Sequence, residues 1–338
     1  MTDSNAPKLV ASMWSITVIA LVFFISRIYL KRRYGKKITT DDYLLGLSWI
    51  FTLLYTVSIY IATQYGLGHH LRDVSEDNLP KALMYMTIGE FLGLLGLQAS
   101  KTSFAMTLLR LAVQQWQKWM LWFVIISLNL VLGLNTILIF SWCQPVQKLW
   151  NFSSPGTCWD AQLVIRIAVA AGSYSGIMDL LLAVFPVVLL WNLRIERREK
   201  VGVCVAMSLG VVAGVAAFVK TSYLPLLGEM TDLTYSMIPL LVWAAAEGAV
   251  TIVATSVPYI RLAYRARRNR DRGHRVEDAE IGMAHVNVES KTALWRTPMF
   301  LGRSIALLSF FARVPTTGEE RDKSGDQGTE RSVRDGPT

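Results

Sequence analysis

Charge is scarce in this sequence. Asp, Glu, Lys and Arg make up 17% of its 338 residues, where a soluble globular chain carries about a quarter. Cysteine and histidine are scarcer still, at three and four residues. No nucleophile elbow, phosphate-binding Gly-Lys loop, HExxH or Cys/His metal pattern occurs. The adjacent pair His69-His70 does not make a metal site by itself, because chain neighbours rarely both ligate one ion without further ligands nearby. It reads instead as part of a Gly-shaped loop with exposed imidazoles. The first residues lack a basic segment and a clear cleavage site, so the first apolar run is expected to be a retained helix and not a signal peptide. No metal or cofactor is called for.

Apolar length is what the chain has in quantity. Hydrophobic residues reach 52% and mean hydropathy is +0.36. Seven runs, 9–30, 43–63, 83–111, 119–141, 164–193, 201–223 and 237–260, each approach the roughly 20 residues that cross a bilayer as helix. These segments largely lack the polar faces that outer helices of a soluble core would need. The expected fold is all-α, a seven-transmembrane helix bundle over 9–260. A short exterior segment (1–8) precedes it, and a basic, largely disordered tail (261–338) follows.

The net charge of +9 is not a nucleic-acid signature, because the basic residues cluster beside the apolar runs. Lys31, Arg32, Arg33, Lys36 and Lys37 follow the first, Arg110 and Lys118 bracket the third loop, and Arg194, Arg197, Arg198 and Lys200 follow the fifth. The positive-inside rule then places the N-terminus outside and the C-terminus in the cytoplasm. Arg261 to Arg275 forms a further basic cluster suited to anionic membrane lipid. An apolar patch at 299–314 is too short for another crossing and could lie on the membrane surface.

Ionisable residues within the runs stand out against this background. Residues 84–113 carry Glu90, Lys101 and Arg110. Arg110 can reach a membrane surface along its own stem. Lys101 lies about 13 Å further along the helix axis, where an unpartnered charge costs several kcal/mol. Asp179 in the fifth run and Glu247 in the seventh lie at similar depth, about 20 Å from the basic edge, and Trp243 stands one turn from Glu247. Lys101, Asp179 and Glu247 are expected to meet as one cation with two carboxylates, serving either as structural glue or as a functional site. With Glu90 and Trp243 they form the candidate ligand-binding set.

Other motifs bear on local structure. Thr39 with Asp42 three residues on reads as a capping box at a helix start. Gly89, Gly93 and Gly96, and Gly210 with Gly214, offer small-residue packing faces. Asn129 and Asn135 are expected to bond neighbouring helices, Pro186 to kink its helix, and Cys204 to be a buried thiol. Cys143 and Cys158 fall in one exterior loop, where an oxidising compartment favours a disulfide. Between them Asn151-Phe152-Ser153 is an N-glycosylation sequon.

In order and spacing, several of these features resemble one known family. They are Asp41-Asp42-Tyr43, Gly66-Leu67-Gly68-His69, Lys101 with Arg110, Cys143-x-Pro145 followed by Trp150 and Cys158, Asp179 with Pro186 and Trp191, Asp232 with Thr234-Tyr235, and Trp243-x3-Glu247 with Pro258. Over about residues 15–265 the chain resembles the fungal rhodopsin-like domain proteins, which include a satratoxin-cluster member and are related to Pth-type receptors. The resemblance implies seven helices, an exterior N-terminus and the loop disulfide. It also implies the plasma membrane or an endomembrane of a fungal cell, and for some members a secondary-metabolite gene cluster. Two departures are visible. No cysteine-rich segment precedes the first helix, and Lys220 stands where the family often has arginine. Retinal is not expected, because its Schiff base needs a lysine in the last helix and residues 237–260 contain none.

Three activities fit these residues. A receptor-like protein would bind a small, lipophilic ligand among the helices and address a cytoplasmic signalling partner. A membrane-embedded cyclase or isomerase would act on a lipophilic intermediate, with Asp179 or Glu247 as general acid. A proton-coupled transporter would use the same carboxylates, although the runs show no inverted repeat.

Overall fold

Long apolar runs with capped or proline-started ends have little choice but helix. In lipid the backbone polar groups must also be satisfied within each segment. The computed structural model describes residues 5–260 apart from 36, 71, 73, 76, 113, 152, 191–196 and 226–232. Helix α1 (Ala6–Arg33) has Pro7 in its first turn and ends on Lys31, Arg32 and Arg33, which complement the negative helix end. Helix α2 (Thr40–Gln64) opens on the capping box, in which Asp42 accepts the Thr39 N–H at 2.9 Å. There follow α3 (Leu79–Leu111), α4 (Gln115–Ser141), α5 (Ala161–Leu190) and α6 (Arg197–Tyr223). A four-residue turn, Leu233–Ser236, then leads to α7 (Ile238–Ile260).

Six of these helices, α1 to α5 and α7, are long and apolar enough to cross a membrane. In the sixth run the described residues give a shorter apolar helix, Met207–Tyr223. Helix α5 continues through Pro186 without a break. Trp191, Arg194, Asp232, the basic cluster from Arg261 and the 299–314 patch lie outside the described residues, as do the side chains of Pro186 and Cys204.

The exterior of the helices is apolar. On α4, Trp116, Trp119, Phe123, Ile126, Leu130, Leu134 and Ile137 recur every three or four residues and are exposed, while Leu121, Val124, Leu128 and Leu132 point inward. Water would penalise such an outer stripe; lipid does not. The interior, by contrast, holds Ser48, Thr52, Thr56, Ser100, Ser103, Thr107, Ser175, Thr251 and Thr255. Several of these hydroxyls bond a carbonyl three or four residues back, as Thr56 does with Thr52 at 3.0 Å. Others cross between helices. Ser48 donates to the Gly96 carbonyl at 2.8 Å, and Tyr55 to the Leu241 carbonyl at 3.0 Å. Gln98 and Asn129 join α3 to α4 at 3.0 Å, and Asn135 makes no such bond among the described residues.

Small residues set the closest approaches. Gly93 and Gly96 on α3 face Tyr55 and Phe51 on α2, and Gly210 and Gly214 on α6 lie against Ala183 and Leu180 on α5. At the end where α4 leaves for α5, the chain is not purely helical as expected. Strands β1 (Cys143–Gln144) and β2 (Thr157–Cys158) pair antiparallel with Cys143 opposite Cys158. Those two residues are joined by the disulfide. The loop they close seats Trp150 on the core of α1, α2, α3 and α7 and leaves Asn151 exposed.

A side chain at Gly210 would place its first carbon 2.6 Å from the Ala183 methyl carbon, whereas one at Gly133 would stand 3.6 Å from the end of Gln98. Gly210→Leu is therefore expected to lower stability by about 1–3 kcal/mol, read as a lower Tm in detergent, with Gly133→Ala neutral or mildly stabilising. In unreduced protein, alkylation should spare Cys143 and Cys158. Removing their bridge should cost about 3 kcal/mol, from the loop of this length that it closes.

Candidate functional site

A lysine ammonium has three N–H donors and no acceptor, and buried at mid-helix it needs a partner for each. Lys101 on α3 finds them. Its Nζ lies 2.7 Å from Asp179 Oδ2 on α5 and 2.7 Å from Glu247 Oε1 on α7, and it also donates to the Ser175 hydroxyl on α5. Ser175 in turn donates to Glu247 Oε1 at 3.3 Å. The other Glu247 oxygen is 2.6 Å from Lys220 Nζ on α6. Lys101 and Glu247 are fully buried, and the Asp179 and Lys220 side chains are 5% and 11% exposed. Two ammonium groups and two carboxylates from four helices thus form a neutral, closed network.

The structure joins the three charges that the sequence placed at similar depth and adds a fourth. Lys220 entered the sequence analysis only as a departure at the far end of its run. Its place inside an apolar run was the available signal. Beside Asp179 is a void of about 10 Å³ bordered by Phe104, Gly210 and Thr251, room for about one water molecule. Among the described residues, Glu90 and Trp243 make no hydrogen bond or ion pair with these four charges. Glu90 lies within the field of Lys220, and its Oε1 is buried with no hydrogen-bond partner among the described residues. Trp243, half-buried, stands one turn before Glu247 on α7.

A second network occupies the opposite, basic end of the helices. Arg27, nearly two turns from the end of α1, donates Nε to Asp42 Oδ1 at 2.9 Å, one Nη to Asp41 and the other to the Thr255 carbonyl of α7. Lys31 lies 2.6 Å from Asp42 Oδ2, and Arg110 lies 2.9 Å from Asp41 Oδ1. The Tyr259 ring covers both cations, 4.2 Å from Arg27 Cζ and 4.2 Å from Lys31 Nζ. Asp41 also accepts from Thr107 at 3.3 Å and Tyr259 at 3.4 Å.

The sequence placed Lys31 and Arg110 beside their apolar runs, and the structure adds that both pair with the carboxylates at the start of α2. Lys31 is buried, 2% exposed, because the carboxylates that start α2 need cations once buried, whereas Arg110 stays 39% exposed. The missed signal was Arg27, one helical turn before Lys31 and inside an apolar run. Helices α3 and α7 belong to both networks.

The sequence profile of the fungal rhodopsin domain matches residues 26–266. The chain belongs to the fungal rhodopsin domain family. As a member it is a multi-pass membrane protein, and the matched stretch contains every residue of both networks, from Arg27 to Tyr259. A relative from Gibberella zeae, "Fugralins biosynthesis cluster protein 2", is 30% identical over 119 residues, which are 35% of this chain and 29% of that protein. The chain therefore spans well under half of that relative. No solved structure matches this fungal rhodopsin domain chain.

Lys101→Met leaves Glu247 paired with Lys220 but strands Asp179. It is expected to cut the yield of monodisperse protein, consistent with a cost of about 3–5 kcal/mol for an uncompensated buried charge. Adding Asp179→Asn should restore more of that yield than adding Glu247→Gln, which would leave Lys220 unpaired as well. Size-exclusion recovery of the three variants decides the order. Equal recovery of both double variants would mean that the four charges do not act as one network. At the basic end, Arg27→Met should be far more damaging than Arg110→Gln, whose partly exposed pair contributes about 1 kcal/mol or less.

Proposed function

We propose that this chain is a receptor-like membrane protein that takes a small lipophilic ligand among its helices and serves a secondary-metabolite pathway. The observation that supports it best is the Lys220–Glu247 pair. It is the most open member of the mid-helix network and is adjacent in field to Glu90, a carboxylate with an unpartnered oxygen. A ligand with an apolar body and one polar group can satisfy Glu90 and draw Lys220 away from Glu247. Such an exchange would alter how α6 sits on α7. A bound ligand shifts a helix arrangement only through such a difference in contacts between two states. Because α7 also carries Thr255 and Tyr259, the change would reach the basic end, where a cytoplasmic signalling partner would bind. Trp243 would pack on the ligand's apolar body.

The reading includes a seven-span topology with the N-terminus and the disulfide loop outside. It also includes a glycan on Asn151, and residence in the plasma membrane or an endomembrane. The link to a metabolite pathway draws on the name of the Gibberella zeae relative. A second reading, a membrane-embedded cyclase or isomerase, draws on Asp179, which borders the small void beside Thr251 and would be its general acid.

The test uses the full chain in detergent and the lipophilic metabolite fraction of the fungus that expresses it. A component of that fraction should raise the Tm of the wild type, by about 2.7 kcal/mol of stabilisation at a hundredfold excess over Kd. It should not raise that of Glu90→Gln or Lys220→Met. An equal Tm gain in both variants would refute the site, and turnover of the component by wild type but not Asp179→Asn would favour the enzyme. In cells, an N-terminal tag should be reached from outside and a C-terminal tag only from inside, with a glycosidase-sensitive mass shift lost in Asn151→Gln.

A further inference from the structure

The loop after α2 is built with unusual care. Gly66 and Gly68 take positive φ values of 112° and 97°, a region that side chains resist. A side chain at Gly68 would also meet the Ala6 backbone at 3.1 Å. This lets the loop lie flat on the start of α1, where Asn5 N–H donates to the Gly68 carbonyl at 3.3 Å. On its other side Gly68 N–H donates to the Thr234 carbonyl at 3.3 Å, and the Thr234 hydroxyl donates to the His69 carbonyl at 2.9 Å. His69 N–H is held as well, by the Gly66 carbonyl at 3.2 Å. The backbone of His69 is thus fixed from α1, from its own turn and from the approach to α7. Yet its ring nitrogen Nδ1 is buried with no hydrogen-bond partner among the described residues.

His69 borders a cleft of about 530 Å³, open between the start of α1 and the end of α2. Pro7, Val10 and Ala11 form one wall, and Tyr60 and Gln64 the other. The volume is that of a small-molecule site, and mostly apolar walls with one or two convergent polar groups are what such sites have. Among the described residues no Asp, Glu, Lys or Arg lines it, so none of these would hold a charged headgroup. A buried imidazole nitrogen without a partner is costly, and either tautomer is satisfied by a hydroxyl, which can both donate and accept.

We propose that this cleft is a binding site for a neutral lipophile bearing a hydroxyl, with the hydroxyl on the His69 imidazole as its ring turns Nδ1 toward the cleft, and the apolar body against Val10, Ala11 and Tyr60. It shares no residue with the mid-helix network, so it stands or falls independently of the ligand assigned there.

The test is photolabelling of the full chain in nanodiscs with a long-chain alcohol carrying a diazirine, beside the same chain lacking the hydroxyl. The alcohol should label peptides within 6–11 and 60–69 about tenfold more strongly than the hydrocarbon, the worth of one buried hydrogen bond. His69→Leu should reduce the alcohol to the hydrocarbon's level. Val10→Trp, which fills the cleft and leaves His69 alone, should suppress both. Equal labelling by the two probes in wild type would make the cleft ordinary lipid-facing surface and overturn the proposal, as would labels mapping elsewhere. If His69→Leu does not fold, the wild-type ratio and Val10→Trp decide.

Discussion

The ammonium of Lys101 has no water to fall back on. Each of its three donors must end on an acceptor supplied by another part of the chain, and the acceptors come from α5 and α7. That requirement fixes how far apart α3, α5 and α7 can be at mid-height and which faces they present to one another. Glu247, having given one oxygen to Lys101, needs a cation on the other, and Lys220 brings α6 into the same arrangement. The apolar contacts around these pairs, Phe104, Leu108, Met178 and Leu182, are numerous but forgiving, since any hydrocarbon of similar volume would pack there. The charges are not forgiving, because losing one leaves its partner buried alone.

The network at the basic end obeys the same rule with different stoichiometry. Three cations face two carboxylates, and the surplus is carried by Arg110, the member most open to solvent. Burial and balance therefore go together: where the side chains are fully enclosed the charges match, and where one is not, water completes the count. Since α3 and α7 each supply residues to both networks, a rotation of either helix would be felt at two heights at once. The α2–α3 and α5–α6 contacts, closed by glycines, leave those pairs of helices little freedom to part.

Much of this was legible in the sequence, and for a physical reason. Six of the span-length apolar runs, a cap at Thr39 and Asp42 and small residues at helical spacing are local patterns that the structure reproduces. Counting residues along a helix also gave the heights of Lys101, Asp179 and Glu247 closely enough to place them together. What counting could not give was azimuth. Lys220 and Arg27 were each at a suitable height, but which way a side chain points around its helix depends on the neighbours it packs against. Glu90 shows another limit: on α3 it lies about 16 Å from Lys101 along the axis and forms no ion pair with the four charges among the described residues. The β ladder was invisible because two residues per strand leave no alternation to read, and only the disulfide made the pairing worthwhile.

The spacing of the mid-helix pairs along the chain has a consequence for biogenesis. Lys101 precedes Asp179 by 78 residues and Glu247 by 146. A ribosome feeding this chain to the membrane delivers the lysine long before either carboxylate exists. During that interval α3 is a helix long enough to span but costly to release into lipid, and the machinery that inserts it must shelter the charge. Only when α5 arrives does the first partner appear. Release of α3 before α5 would therefore leave the ammonium in lipid without its first partner.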